Sequence, residues 1–214
     1  MHVTNRDPQL ALAADLHGFF QEALVSALQE RGVEVTEPTS HYLVALLADF
    51  AKPGELTQEA LERPLAVLLQ EALGLAGRER FERLRSLGDS VLYTSGFFFD
   101  HLETRGVTLT YVSSLGARAY GGAASMLRYA APEKPAHGEA PRAPELFEEL
   151  ADNFAHFAQV LATVADGLYA NASRSTHAGM LKVYERWLRT GSNQLAQALT
   201  ERGILPTRGS GGVH

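Results

Sequence analysis

The chain has 214 residues, of which 45% are hydrophobic and 21% are charged, a composition typical of globular proteins and not of disordered chains. It has no cysteine, which excludes disulfides, thiolate zinc sites, cysteine-ligated iron–sulfur clusters and a cysteine nucleophile. The formal net charge of −6 argues against general nucleic-acid binding and against an electrostatic membrane anchor. We therefore expect one globular domain, covering residues 1–208.

The N-terminal residues, 1–8, are polar and do not resemble a secretory signal. Uncharged stretches such as residues 90–99 and 107–117 reach only about half of the ~20 residues that a membrane span needs. We expect a cytoplasmic protein without a membrane span.

Apolar residues recur every three or four positions along most of the chain, which predicts an all-α, single-domain bundle of about seven helices. The first helix is predicted over residues 9–31, where Gly32 ends it. The second is predicted over residues 41–51, with Thr39 or Ser40 as its cap. Further helices are predicted after Thr57, over 64–76, over 78–105 with one kink or break, over 108–130, over 144–168, and from about 175 to 202 with an interruption at 190–193.

Residues 107–112 fit two structures. Their alternating, β-branched sequence is typical of a strand, but only residues 33–36 offer a second strand to pair with it. We therefore expect a helix that begins near Thr108.

Residues 131–144 contain four prolines and one glycine, which predicts an exposed linker and the one internal boundary of the chain. Pro144 suits the first turn of the helix that follows. A glycine-rich flexible tail is predicted over residues 209–214.

The helix after this linker carries an unbroken apolar stripe. Its apolar residues are spaced alternately three and four positions apart, which is the pattern of a helix-bundle seam. The stripe consists of Phe147, Leu150, Phe154, Phe157, Leu161, Val164 and Leu168.

The segment between residues 83 and 127 places five glycines inside predicted helices. Glycine in a helix interior costs about 1 kcal/mol relative to alanine, so another effect must favour these glycines. Close packing of helices is one explanation, and room for a bound ligand is the other. The glycines are Gly88, Gly96, Gly116, Gly121 and Gly122.

Around these glycines runs a recognisable motif. Residues 87–98 read Leu-Gly-Asp-x-x-Leu-x-x-Ser-Gly-Phe-Phe, and Tyr111, Gly116 and Tyr120 follow.

This motif resembles that of a family of uncharacterised bacterial proteins of similar length and helical character. The matching core, residues 84–124, covers about a fifth of the chain. The sequence departs from the family at Val112, where a second tyrosine is expected. The resemblance implies a shared helical fold and carries no activity.

A ligand beside the glycines would be lined by the aromatic and polar side chains of the same segment. Asp89 also suits an N-cap, and His101 has a residue type that titrates near neutral pH. The predicted ligand-binding residues are Asp89, Tyr93, Gly96, Phe97, Asp100, His101, Tyr111, Gly116 and Tyr120.

The sequence specifies no metal site and no particular cofactor. No histidine follows a glutamate by three residues, as a di-iron bundle would need. Asp152 and His156 lie one turn apart and fit an ion pair or a solvated helix face better than a metal site. The arginines and glutamates of residues 78–85 predict a solvated, salt-bridged helix face.

The sequence also lacks the phosphate-binding loops and the nucleophile elbow that mark common enzyme classes. It favours a non-enzymatic protein-interaction or regulatory module, which binds a protein partner or associates with itself. Two alternatives stay open: a helical bundle that holds a small apolar ligand or cofactor, and an enzyme that uses Asp89, Asp100 or His101.

Overall fold

The computed structural model describes residues 8–51, 62–99, 103, 106–130, 143–172 and 177–207. All regular secondary structure in these residues is helical, which confirms the all-α prediction. These residues contain nine helices with defined bounds, two more than the approximate number predicted. They are α1 (Pro8–Arg31), α2 (Glu37–Phe50), α3 (Leu65–Gly74), α4 (Gly77–Phe97), α5 (Leu109–Ala130), α6 (Ala143–Asp152), α7 (Phe154–Ala172), α8 (His177–Thr190) and α9 (Asn193–Thr200).

Two interruptions raise the number of helices. The helix predicted over residues 144–168 is divided at Asn153 into α6 and α7, although main-chain hydrogen bonds continue across the division. The second interruption lies at Gly191, whose φ of +65° ends α8 before α9 begins. This interruption was expected from the sequence, and the one at Asn153 was not.

Of the strand and the helix considered for residues 107–112, the structure has the helix, because α5 begins at Leu109. Gly106, with a φ of +74°, forms the turn before it. Helix α4 runs without a break through Gly88 and Gly96. The predicted helix start at Thr57, the linker over residues 131–142 and the tail from residue 208 lie outside the described residues.

The chain forms two compact units, residues 1–161 and residues 162–214, with the division inside α7. In the first unit, α4 packs along α5, and α5 also packs against α6. The stripe predicted for residues 147–168 is buried at six of its seven positions. None of the described helices combines the length and the hydropathy that a membrane span requires.

Helix α2 begins earlier than predicted, at Glu37, so neither Thr39 nor Ser40 is its cap. The cap position is Thr36, which donates hydrogen bonds to a carboxylate of α6. Glu149 Oε1 accepts a hydrogen bond from the Thr36 main-chain N–H (2.9 Å), and Glu149 Oε2 accepts from the Thr36 hydroxyl (2.5 Å). The Thr39 hydroxyl donates to the same Oε2 (2.7 Å). An acceptor 113 residues away in the sequence therefore satisfies one of the main-chain N–H groups at the start of this helix.

The second unit has its own small core, to which Val183, Trp187, Leu195 and Leu199 contribute buried side chains. Beside it lies a buried ion pair, in which Arg186 Nε donates to Asp166 Oδ1 at 2.5 Å. The Arg186 guanidinium also lies 4.6 Å from the centre of the Tyr169 ring. This unit therefore combines apolar packing with one charged pair that is shielded from solvent.

Candidate functional site

A hydrogen-bonded cluster centred on Asp89 of α4 lies inside the first unit. Its Oδ1 atom accepts two hydrogen bonds from tyrosine hydroxyls: Tyr42 of α2 donates at 2.6 Å and Tyr120 of α5 donates at 2.8 Å. One carboxylate oxygen therefore connects three helices. Asp89 is not an N-cap, since it lies in the middle of α4.

Gly88 explains how Tyr120 reaches this carboxylate. A Cβ atom placed on Gly88 would lie 2.6 Å from both Cδ1 and Cε1 of the Tyr120 ring, which is closer than real Cβ contacts come. The absent side chain lets the ring lie directly on the α4 backbone, with its hydroxyl at the neighbouring residue. Tyr120 is fully buried as a result.

Burial raises the pKa of Asp89 to about 6, because a charged carboxylate is poorly solvated there. The hydrogen bonds from Tyr42 and Tyr120 and the positive charge of Arg85 act in the opposite direction and limit this rise, while Asp49 adds to it. Burial also raises the pKa of both tyrosines, and the negative charge of Asp89 adds to that effect. The hydroxyls therefore stay protonated donors across the physiological range, while the carboxyl changes its charge near pH 6.

Aromatic rings surround this cluster. The Phe147 ring of α6 lies with its centre 5.6 Å from Tyr42, 5.7 Å from Phe81 and 5.9 Å from Tyr120. The first two contacts are edge-to-face, a geometry favoured by aromatic quadrupoles. The cluster is therefore a polar centre within an aromatic core and has the character of a fixed junction between helices.

A second aromatic group lies one turn further along α4. The Tyr93 ring stacks between Phe50 of α2, at 4.6 Å, and Phe97, at 4.5 Å. Phe98 contacts the same tyrosine edge-on at 5.8 Å. Tyr93 and Phe97, both predicted as ligand-binding residues, are thus brought together, and here they contact each other and α2.

The remaining predicted residues are distributed more widely. Gly96 is buried within α4, and Tyr111 lies at the surface with 46% of its side chain exposed. The Phe154 ring lies directly over Gly116 and takes the space of a side chain there. Asp100 and His101 lie outside the described residues. Of the nine predicted residues, Asp89 and Tyr120 form one group and Tyr93 and Phe97 another.

Sequence reasoning missed Tyr42. It lies 47 residues before Asp89, on a different helix, and no short motif contains it. Its one signal is its place on α2, three residues after the buried Thr39 and next to the buried Leu43. That pattern predicts a packed face of the helix and does not indicate a polar partner.

A concave feature of a different kind lies where α1 turns into α2. It is an open groove of about 800 Å³ that is lined by residues of α1, of the connecting segment 32–35 and of the first turns of α2. Its apolar lining consists of Val25, Leu28, Val33 and Val35, and its polar lining includes Gln21, Gln29, Glu34, Glu37, Ser40 and His41.

Within the described residues, no group of three or more histidine, aspartate or glutamate side chains is arranged to hold a metal ion. Asp152 and His156 are both exposed. In the arginine-rich turn of α4, Arg78 Nε donates to Glu82 Oε1 at 2.6 Å, an exposed ion pair one turn apart, as the charge pattern predicts.

Comparison with known proteins gives no relative for this arrangement: no family model, no curated protein and no solved structure matches the chain.

Proposed function

We propose that this protein is a cytoplasmic, non-enzymatic interaction module that binds a segment of a partner protein in the groove between α1 and α2. The groove is the single observation that carries the proposal. Its volume of about 800 Å³ is sufficient for several side chains of a bound segment.

The groove has the anatomy of a protein-binding site. One wall is a single face of α1, since Gln21, Val25 and Leu28 follow one another at helical spacing. Its lining combines apolar side chains with polar ones, as protein interfaces combine an apolar centre with a polar rim. Val25 is 39% exposed, which is a substantial apolar surface for a binding partner to cover.

The two alternatives receive less support. The space that a small ligand would need beside Gly88 and Gly116 is filled by the Tyr120 and Phe154 rings. An enzyme based on Asp89 would need that carboxylate to reach a substrate, but its Oδ1 atom is already engaged by Tyr42 and Tyr120.

Affinity purification followed by native mass spectrometry tests the proposal. Three versions of the full chain are compared: wild type, Val25→Asn in the groove, and Glu22→Gln as a control on the same helix outside the lining. Val25 is partly exposed, so its substitution leaves the fold intact.

We expect a partner that the wild type and Glu22→Gln retain and that Val25→Asn loses. A second copy of the chain, recognised by a doubled mass with the same dependence on Val25, would identify the partner as the protein itself. A complex that survives Val25→Asn undiminished would place binding elsewhere and contradict the proposal.

A further inference from the structure

We propose that the segment bound in this groove is basic: a short amphipathic peptide whose apolar side chains enter the groove and whose lysines or arginines meet the groove's glutamates. This inference rests on the proposed function and adds the chemistry of the partner.

The charges that line the groove are of one sign. Glu34 and Glu37 contribute two exposed carboxylates, and the described residues that line the groove, which also include His41, contain no lysine or arginine. Neither carboxylate forms an ion pair or a side-chain hydrogen bond within the described structure, whereas Glu30 and Arg31 nearby have partners of their own and do not line the groove. A ligand that brings positive charge would therefore complete interactions that the described part of the chain leaves open.

The backbone that carries these carboxylates is held in place before any partner arrives. The Val33 main-chain N–H donates to the Leu28 carbonyl oxygen at 3.1 Å, which fixes the start of the segment. Glu149 fixes its end by accepting hydrogen bonds from the N–H and the hydroxyl of Thr36. Glu34 lies between the two anchors and Glu37 lies directly after the second. Binding at a fixed backbone loses less conformational entropy than binding at a mobile one.

The apolar and charged parts of the lining are adjacent along the chain. Val33 and Val35 alternate with Glu34, so that the partly buried valines flank the exposed carboxylate. A bound segment in which apolar and basic residues alternate, or in which they form two faces of a helix, would contact the apolar and the acidic parts of the lining at once. An acidic segment with the same apolar residues would place like charges opposite each other and be rejected.

The test uses two synthetic peptides with one helical pattern of leucines, in which the polar positions are all lysine or all glutamate. Fluorescence anisotropy measures the binding of each peptide to the wild type, to the double variant Glu34→Gln/Glu37→Gln, to Val25→Asn, and to the control Glu22→Gln. The control removes one acidic charge from α1 outside the lining, so it separates local pairing from the attraction of an acidic protein for any cation.

We expect the lysine peptide to bind the wild type and Glu22→Gln alike, and to bind the double variant about five- to tenfold more weakly. The glutamate peptide should not bind. If both peptides bind equally, and if Val25→Asn weakens this binding while the double variant does not, the proposal of a basic partner is wrong. The proposed interaction module is then still supported. Binding that neither Val25→Asn nor the double variant changes would overturn both proposals.

Discussion

The ring of Tyr120 occupies the place that a side chain at residue 88 would take. The distance of 2.6 Å between a Cβ placed on Gly88 and the ring carbons means that one of the two must move if residue 88 becomes larger. Tyr120 cannot move freely, because it is fully buried and its hydroxyl is bonded to Asp89. The α4–α5 interface therefore depends on a glycine at this position.

Gly88→Ala should consequently destabilise the protein by about 1–3 kcal/mol, as overpacking of a close-packed core does. Gly121→Ala is the matched control, since Gly121 is also inside a helix but has open space at its Cβ position. We expect it to stabilise by about 0.5–1 kcal/mol through helix propensity. Urea unfolding followed by circular dichroism measures both. Equal effects of the two substitutions would contradict the close contact at Gly88.

Asp89→Asn tests the electrostatics of the cluster. A carboxyl whose pKa is about 6 in the folded chain and 3.8 in an ordinary setting binds more protons folded than unfolded between these values. The protonated carboxyl therefore contributes fully to stability below about pH 4, and this contribution is lost as the pH rises through 6. The loss amounts to at most about 3 kcal/mol. An asparagine cannot ionise and avoids this loss.

We expect Asp89→Asn to be about 1–3 kcal/mol more stable than the wild type at about pH 8, and close to it at about pH 4. Urea unfolding of both chains across this range supplies the comparison. Tyr42→Phe should move the fall in stability to higher pH, because the Tyr42 hydroxyl favours the ionised carboxylate. If Asp89→Asn leaves the pH dependence of the unfolding free energy unchanged, the Asp89 carboxyl does not cause the loss of stability at higher pH.

The buried pair in the second unit gives a third prediction. Asp166→Asn should leave the Arg186 charge poorly compensated and destabilise this unit by about 3–5 kcal/mol. Trp187 is the chain's single tryptophan and lies in the same unit's core, so its fluorescence during denaturation reports on this region. The double variant Asp166→Leu/Arg186→Met should recover most of the loss. A negligible effect of Asp166→Asn would mean that the pair is solvated in solution.

Glu149 links α6 to the start of α2, next to the groove. Glu149→Ala removes the acceptor for Thr36 and Thr39 and should cost about 1–2 kcal/mol, the usual range for the loss of a helix cap. It should also weaken binding of the lysine peptide, because the segment before α2 loses an anchor. Glu148→Ala is the control: Glu148 pairs with Arg128 at the surface, so its loss should cost below about 1 kcal/mol. Equal costs for the two variants would contradict the capping role.

The helical periodicity of the sequence was enough to predict the all-α fold, and the spacing of residues 147–168 predicted which positions are buried. The break at Asn153 could not be predicted, because the apolar stripe runs through it without a change of spacing. The glycines of α4 and α5 signalled close contact, but the sequence did not show whether a ligand or a ring fills the space.

The site depends on contacts between distant residues, and these carry no local signature. Asp89 and Tyr120 were recognised as candidates because both belong to one motif, whereas Tyr42 comes from another helix. The groove was missed for a related reason: it depends on the angle at which α1 turns into α2, and residues 33–36 read in sequence as a plain connection.

Site-specific photo-crosslinking tests the central claim most directly. A photoreactive amino acid is placed at Gln29, which lines the groove, or at Glu22, an exposed residue of the same helix outside the lining, and crosslinked peptides are identified by mass spectrometry. We predict that the Gln29 position crosslinks to one defined segment, rich in lysine or arginine, and that the Glu22 position does not. Crosslinks of equal yield from both positions, or none from Gln29, would contradict binding in the groove.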